Sequence, residues 1–366
     1  MAQGYARIII DISAENVDRP FTYAVPPELH DCIRPGSRVE VPFGSSDALK
    51  TGYVLELCDR PDFDASRIKS IRRVLPDAID AREEVLRLAI YMADRYGSTL
   101  NAALKAALPV KRSIRKNSRR KDPVSVIDGL EGAEFSSIPD MNREQREAFE
   151  GILSESGRPC LLYGITGSGK TLVYIRLIEE IIGRGGRAIV LIPEISLTYQ
   201  TVRQLSLYFS GRISVLHSRL SEGERYEQYL RAEKGEVDVV VGPRSAVFTP
   251  LPGLGLIIID EEHERAYHSD TSPRYDAREV AIYRAEQCGA RVVLGSATPS
   301  LESYTAALQG RYAIFRLRER AVPGAGLPRV SRVDMRKELE QGNRSIFSER
   351  LRALMEDRLG RGEQII

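Results

Sequence analysis

The strongest constraint on this chain is eight residues long: Gly164-Ile165-Thr166-Gly167-Ser168-Gly169-Lys170-Thr171, which satisfies the G-x-x-x-x-G-K-[ST] pattern. An apolar run over residues 159–163 precedes it and a helical pattern follows from Lys170, so pattern and context agree on a strand, a tight loop and a helix. Glycines here let backbone N–H groups turn inward around a polyphosphate, and the helix N-terminus adds positive potential. Lys170 is then placed to reach the β- and γ-phosphates, and the Thr171 hydroxyl to ligate Mg²⁺. Gly164, Thr166, Gly167, Ser168, Gly169, Lys170 and Thr171 are therefore the expected ATP-binding residues. Such a loop belongs at the carboxyl end of a strand in an open α/β sheet.

The second half of the chain fits that sheet. A helix is expected over residues 143–154, and strands over 159–163, 187–192, 213–216, 237–241, 256–259 and 291–294. Continuous apolar runs such as Leu256-Ile257-Ile258-Ile259 suit parallel strands buried on both faces, joined by crossover helices. The first 75 residues read differently. Short runs at 6–12, 37–41 and 52–57 are separated by turn signals at Pro26-Pro27, Pro35-Gly36 and Phe43-Gly44, the pattern of a small β-rich domain. Val85, Leu88, Ala89, Met92 and Tyr96 then fall at helical spacing, and residues 101–108 suggest a second short helix. That pair is expected to close the first domain. The resulting boundaries are 1–110, a linker at 111–139, an α/β domain at 140–325, and a connection at 326–366.

At 366 residues and 42% hydrophobic content, two or three domains can each bury a core. No apolar run approaches the ~18 residues that a membrane-spanning helix needs, and the amino terminus lacks a signal peptide's basic region and cleavage site. A cytoplasmic protein with no membrane partner is expected. Cys32, Cys58, Cys160 and Cys288 contain no C-x-x-C pair; neither disulfides nor zinc is indicated within this chain, and structural burial is expected for each. A net charge of +2 decides nothing about nucleic acid. Residues 111–121, with seven cations and no acid, leave two readings open: neutralisation of several DNA phosphates, or a solvated linker.

Hydrolysis also needs a carboxylate at a strand end to hold Mg²⁺ and a base to orient water. Asp260-Glu261-Glu262-His263, after the 256–259 run, supplies both: Asp260 for the magnesium shell, Glu261 for water activation. Lys170, Asp260 and Glu261 are the expected catalytic residues, with Thr171 and Asp260 holding Mg²⁺. His263 is expected to couple nucleotide state to neighbouring motifs. A phosphate loop alone would equally suit a kinase, a transporter ATPase or a GTPase. Gly295-Ser296-Ala297-Thr298, again after an apolar run, discriminates.

Phosphate loop, D-E-E-H and S-A-T in this order resemble the first RecA-like lobe of a superfamily-2 DEAH-type helicase: a parallel sheet with flanking helices, preceded here by a small β-rich DNA-binding domain. The segments Arg19-Pro20-Phe21-Thr22-Tyr23 and Gly36-Ser37-Arg38-Val39-Glu40-Val41-Pro42-Phe43-Gly44 narrow the resemblance to the primosomal replication-restart helicases. The resemblance implies a 3′-to-5′ DNA helicase using ATP and Mg²⁺ at forked and single-stranded DNA. Its implied partners are other primosome proteins, single-strand-binding protein and a replicative-helicase loader, and a monomer is expected.

It also implies roles for particular residues. Gln145, in Met141-Asn142-Arg143-Glu144-Gln145, would read adenine; Asn142 could equally serve as a helix cap. Thr198, Arg244 and Ser245 would contact DNA phosphates in segments resembling the family's single-strand motifs, although Arg244 could instead pair with an acid. Tyr267 and Tyr275 lie in a stretch resembling the family's aromatic-rich loop joining DNA sensing to hydrolysis; base stacking and ordinary packing are both open for them. Ser296 and Thr298 are expected to couple hydrolysis to DNA movement. Thr22 stands where the family's 3′-end pocket has an aspartate, and offers no charge. Lys69 would meet the terminal phosphate by analogy.

Too few residues separate 109 from 142 for the family's winged helix, so that module is expected to be absent. The family's zinc-binding cysteines and its second lobe, with the arginine that completes hydrolysis, are expected beyond Ile366, residues 362–366 reading as that lobe's first strand. One lobe alone should turn nucleotide over slowly, since such an arginine is worth ~10³ to 10⁵ in rate. Removing residues 1–110 is expected to abolish fork binding and spare hydrolysis. A rival reading, a non-hydrolysing DNA-binding assembly platform with a vestigial ATP site, is disfavoured by the intact Lys170, Thr171, Asp260 and Glu261.

Overall fold

The computed structural model describes residues 4–12, 15–61, 64, 67–75, 82–108, 138–193, 200–321 and 330–365. Residues 111–137 of the expected basic linker, and Thr198, lie outside them. The chain divides into two compact units, Met1–Ala321 and Val322–Ile366.

The larger unit opens with strands β1 (Tyr5–Ile10), β2 (Phe21–Ala24), β3 (Arg38–Phe43), β4 (Ala48–Cys58) and β5 (Arg73–Val74), paired antiparallel in the order β2-β1-β4-β3-β5. Alternation sorts their side chains to two faces. Ala6, Ile8, Ile10, Val39, Val41 and Val54 build one core, while Ile9 and Tyr53 look the other way. Gly52 lies where β1 and β4 cross: a Cβ there would come within 2.6 Å of Ile8 Cγ2 and 2.7 Å of the Ile9 carbonyl.

Two helices follow, α1 (Glu83–Tyr96) and α2 (Leu100–Ala107). Gly97, in the left-handed region at φ 59°, ends α1, and Thr99 caps α2 by accepting from Ala102 N–H. The helix pair that the periodicity suggested is present, and its packing reaches beyond the first sheet. Val85, Leu88, Ala89, Met92 and Leu104 join Ile9 and Tyr53 to residues of the α/β sheet, among them Ile189, Val240 and Ile257, in one continuous core. The helices therefore serve as the packing layer on one face of that sheet.

The α/β part runs α3 (Arg143–Ser154), β6 (Cys160–Gly164), α4 (Lys170–Gly183), β7 (Arg187–Leu191), α5 (Gln200–Tyr208), β8 (Ile213–Val215), α6 (Glu222–Glu233), β9 (Val239–Gly242), β10 (Leu254–Ile259), α7 (Ala277–Cys288), β11 (Arg291–Ser296), α8 (Leu301–Leu308) and β12 (Ala313–Leu317). Seven strands pair in parallel in the order β12-β6-β11-β10-β7-β9-β8. Leu256 and Ile258 of β10 face the core beneath α3, α4 and α5, while Ile257 and Ile259 face the core shared with α1 and α2. Burial on both faces explains the unbroken apolar run. β12 escapes the sequence pattern because it is an edge strand, only partly buried. No helix among the described residues is long and apolar enough to cross a membrane.

The smaller unit holds α9 (Met335–Glu340) and α10 (Glu349–Gly360), capped by Asp334 and Ser348. The strand expected over 362–366 does not form at 363–365; a strand needs a hydrogen-bonded neighbour, and residues 330–365 contain no other. The cysteines also depart from expectation. Only Cys160 is buried, its thiol pushed up to about 12 by burial. Cys32 and Cys288 are exposed, each donating to a carbonyl one helical turn back in the chain, Leu29 and Arg284 respectively.

Candidate nucleotide and nucleic-acid sites

The strand order brings together what the sequence keeps apart. β6, β11 and β10 are neighbours, so the segments following their carboxyl ends, 164–171, 296–298 and 260–263, share one edge of the sheet, the ligand face of such folds.

Within the phosphate loop, Gly167 and Gly169 adopt φ 78° and 82°, the left-handed conformation that favours glycine. Gly164 has no room for a side chain: a Cβ would sit 2.6 Å from Ser168 Oγ and 3.2 Å from Lys170 Cγ. Gly169 caps α4 without a side-chain acceptor, which leaves first-turn N–H groups for an anion. Lys170 is largely buried and its Nζ donates to the Gly164 carbonyl at 3.0 Å. Ser168 Oγ is buried with no hydrogen-bond partner among the described residues, and Thr171 lies in the first turn of α4. A glycine cradle, an uncapped helix and an unmatched buried hydroxyl fit a triphosphate with its magnesium.

Gln145 is placed otherwise than the family resemblance implies. It is 2% exposed. Its Oε1 accepts from Asn142 N–H at 2.9 Å, completing a capping box on α3, while Nε2 donates to the Ser168 carbonyl at 2.9 Å. Both ends of the amide are engaged within the protein, and neither is turned outward to a base. Gln145 thus steadies the phosphate loop from behind, and Asn142 is the helix cap.

Asp260, directly after β10, is 8% exposed. Burial, and secondarily the charge of Glu261, push its carboxyl up to about 6 against the opposing influence of Tyr174 and Lys170. Two buried tyrosines hold it. Tyr174, one turn after Lys170 on α4, donates to Oδ1 at 3.0 Å, and the Tyr267 hydroxyl lies 2.5 Å from the Asp260 carbonyl and 3.0 Å from that of Leu191. Glu261 has φ 47°, a conformation that costs of order 1–3 kcal/mol and is characteristic of functional sites. Glu262 is fully buried: it accepts from Ser300 N–H at 2.7 Å, Ser303 Oγ at 2.8 Å and Arg278 Nη1 at 3.2 Å. His263 Nδ1 lies 2.8 Å from Ser296 Oγ, and its Nε2 is 3.4 Å from Thr298 Oγ1. The third acid is therefore structural, tying the acidic loop to the start of α8, and the histidine meets both Ser296 and Thr298.

The expected DNA contacts fall in two groups. Arg244 and exposed Ser245 begin a 3-10 turn, Arg244–Phe248, after β9. They line a cleft of about 850 Å³ with Lys105, His217 and Arg225. Arg244 pairs with no acid among the described residues: its Nη1 donates to the carbonyls of Ala266 at 3.3 Å and His268 at 2.7 Å, on either side of Tyr267. Tyr267 and Tyr275, by contrast, are 0% and 4% exposed. Base stacking needs an open ring face, so packing is the role they have here. Arg278 completes the region, bonding Asp276, Glu262 and His268. Burial works against its charge, but Asp276 and Glu262 more than offset this and hold its pKa above the ordinary value. In the amino-terminal sheet, Lys69 donates to the Gly44 carbonyl at 2.6 Å and pairs with Asp47 at 2.5 Å, and Thr22 is buried.

Tyr174, Glu262 and Arg278 escape a reading by motif. Spacing gave one clue, since Tyr174 stands four residues after Lys170 and so shares its helix face.

Fold and site together define the class: residues 142–307 match the DEAD/DEAH box helicase model, and residues 7–109 match a 3′ DNA-binding domain. The replication restart protein PriA of Bacillus subtilis is 32% identical over 497 residues, covering 99% of this chain and 61% of that protein. Its counterpart in Chlamydia muridarum is 32% identical over 440 residues, covering 99% and 58%. That in Treponema pallidum is 36% identical over 327 residues, covering 88% and 48%. The chain is thus similar to replication restart proteins PriA along nearly its whole length, and spans about 60% of the length of the first two relatives. Among solved structures, RecG bound to a three-way DNA junction is similar at 22% identity and a TM-score of 0.40, over 51% of this chain and 25% of that one.

Proposed function

We propose that this chain is the part of an ATP-dependent DNA helicase and translocase that binds the nucleotide and meets DNA in replication restart. By family likeness it moves 3′ to 5′ in the cytoplasm, as a monomer, on forked and single-stranded DNA. Its partners on the same ground are primosome proteins, single-strand-binding protein and a helicase loader. The domain assignment that goes with this is 1–110 for DNA-end binding, 111–139 as a basic linker, 140–325 as the ATP-binding lobe and 326–366 as the lead into a second lobe.

Within the site, Lys170 and the amides of 166–171 hold the phosphates, and Thr171 and Asp260 would hold magnesium. When bound, that ion would supply positive charge to offset the negative charge developing on the phosphates. Glu261 accepts a proton from the attacking water, its position set by the strained turn after Asp260. Tyr174 and Tyr267 fix Asp260 by side chain and by backbone. A DNA phosphate offered to Arg244 competes with the Ala266 and His268 carbonyls, so occupancy of the DNA cleft reaches Tyr267 and through it Asp260. His263 reports the same event to Ser296 and Thr298.

The observation that carries this reading is the contact of Tyr267 with the Asp260 carbonyl, between residues whose carbonyls are held by Arg244. A vestigial site has no need of that link. Hydrolysis of ATP by the intact protein should rise on adding single-stranded or forked DNA, and Arg244→Ala should raise the DNA concentration required. Turnover equal with and without DNA would end the proposal.

A further inference from the structure

Arg284, in the middle of α7, is 1% exposed and heads the largest fully buried side chains among the described residues. Its guanidinium is shared between two parts of the molecule. Nε donates to Glu84 Oε1 at 2.6 Å, in the first turn of α1, with Nη2 also against Glu84. Nη1 donates to the Val247 carbonyl, and Nη2 to the Thr249 carbonyl at 2.8 Å. Those carbonyls close the 3-10 turn that begins with Arg244 and Ser245.

A buried guanidinium is tolerated only with a counter-charge and acceptors for its fork of donors. The acceptors belong to the DNA-cleft turn; the counter-charge belongs to α1, 200 positions away in sequence and inside the region matched as a 3′ DNA-binding domain. Arg95 and Tyr96 of α1 also reach Glu279 of α7, but touch neither carbonyl.

We infer that Glu84 and Arg284 are a positioning pair through which the amino-terminal region sets the backbone of residues 244–249, and hence the presentation of Arg244 and Ser245 to DNA. This rests on the DNA role proposed above for those two residues. Geometry favours it over simple docking of α1, because a fork spanning two carbonyls fixes a turn in a way that apolar packing does not.

Two mild variants of the intact protein test it: Glu84→Gln keeps an acceptor without the charge, and Arg284→Lys keeps the charge without the fork. Single-stranded oligonucleotide binding by fluorescence anisotropy should weaken about five- to tenfold in both, with DNA-free hydrolysis within about twofold of the parent. Glu279→Gln, which loosens the same helix pair elsewhere, should leave binding within about twofold. Unchanged affinity in both variants, a parallel fall of DNA-free hydrolysis, an equal defect in Glu279→Gln, or failure of both variants to fold would each overturn the inference. If Arg244→Ala itself leaves binding intact, the DNA reading of the cleft has failed first.

Discussion

Gly295 offers a sharp probe of how Asp260 is held. It lies in β11, directly before Ser296, and a Cβ there would fall 1.6 Å from the Tyr174 hydroxyl and 2.8 Å from its ring Cζ. Tyr174 is 1% exposed and has no space to withdraw, yet an ordinary contact needs at least 3.4 Å. Gly295→Ala must therefore push the ring aside and break the bond to Asp260 Oδ1. Overpacking of this kind costs ~1–3 kcal/mol, and a buried acceptor left without its donor costs a further ~1–3 kcal/mol. At ~2–4 °C per kcal/mol for a unit of this size, the melting temperature should drop by roughly 5–20 °C. Hydrolysis should fall by about 10², as expected when a reacting geometry shifts by an ångström. Tyr174→Phe in the same chain removes the clashing oxygen, so part of the stability should return. The lost rate should not, because Asp260 still lacks its donor. Thermal unfolding and steady-state ATPase across the four-member cycle give the answer. A Gly295→Ala protein within ~0.5 kcal/mol of the parent, or strict additivity with Tyr174→Phe, would refute the reasoning.

Lys170→Ala should abolish hydrolysis while leaving oligonucleotide binding nearly intact, measured by anisotropy. Tyr267→Phe should retain DNA binding and lower DNA stimulation of the ATPase, read as the ratio of stimulated to basal rate. Burial pushes the Asp260 carboxyl above the ordinary aspartate value, up to about 6, so the native state holds the proton more tightly than the unfolded state. Its stabilising contribution is full below about 3.9 and lost as pH rises through about 6. Because magnesium needs the charged form, kcat/KM should fall as pH drops below about 6, a limb absent in Asp260→Asn. Deleting residues 1–110 should cost the α/β part its solubility rather than spare hydrolysis, because Val85, Leu88, Ala89 and Met92 cover its sheet; a soluble, ATP-hydrolysing truncation would contradict the shared core.

Much of the fold could be read in advance because its signals are local. Six of the seven parallel strands announce themselves as apolar runs, and the phosphate loop as a pattern between a strand and a helix. β12 could not, since an edge strand borrows its conformation from β6 and is only partly buried. The surroundings of Gln145, Tyr267 and Tyr275 could not be read in advance for a related reason. Residue type suggests what a side chain can do, but burial decides whether it faces a ligand or the interior.

By itself, the sequence determined the phosphate-loop pattern that ends in Lys170 and Thr171, the acidic pair Asp260 and Glu261 after an apolar run, and the alternating order of strand and helix that a parallel sheet requires. Only the tertiary structure decided who stands beside whom. The packing of β6 next to β11 and β10, the fit of Tyr174 against Gly295, and the reach of Glu84 to Arg284 all join segments far apart in the chain. Periodicity is a property of a few neighbouring residues, whereas a buried hydroxyl, carboxylate or guanidinium must find its partner wherever the folded chain places one.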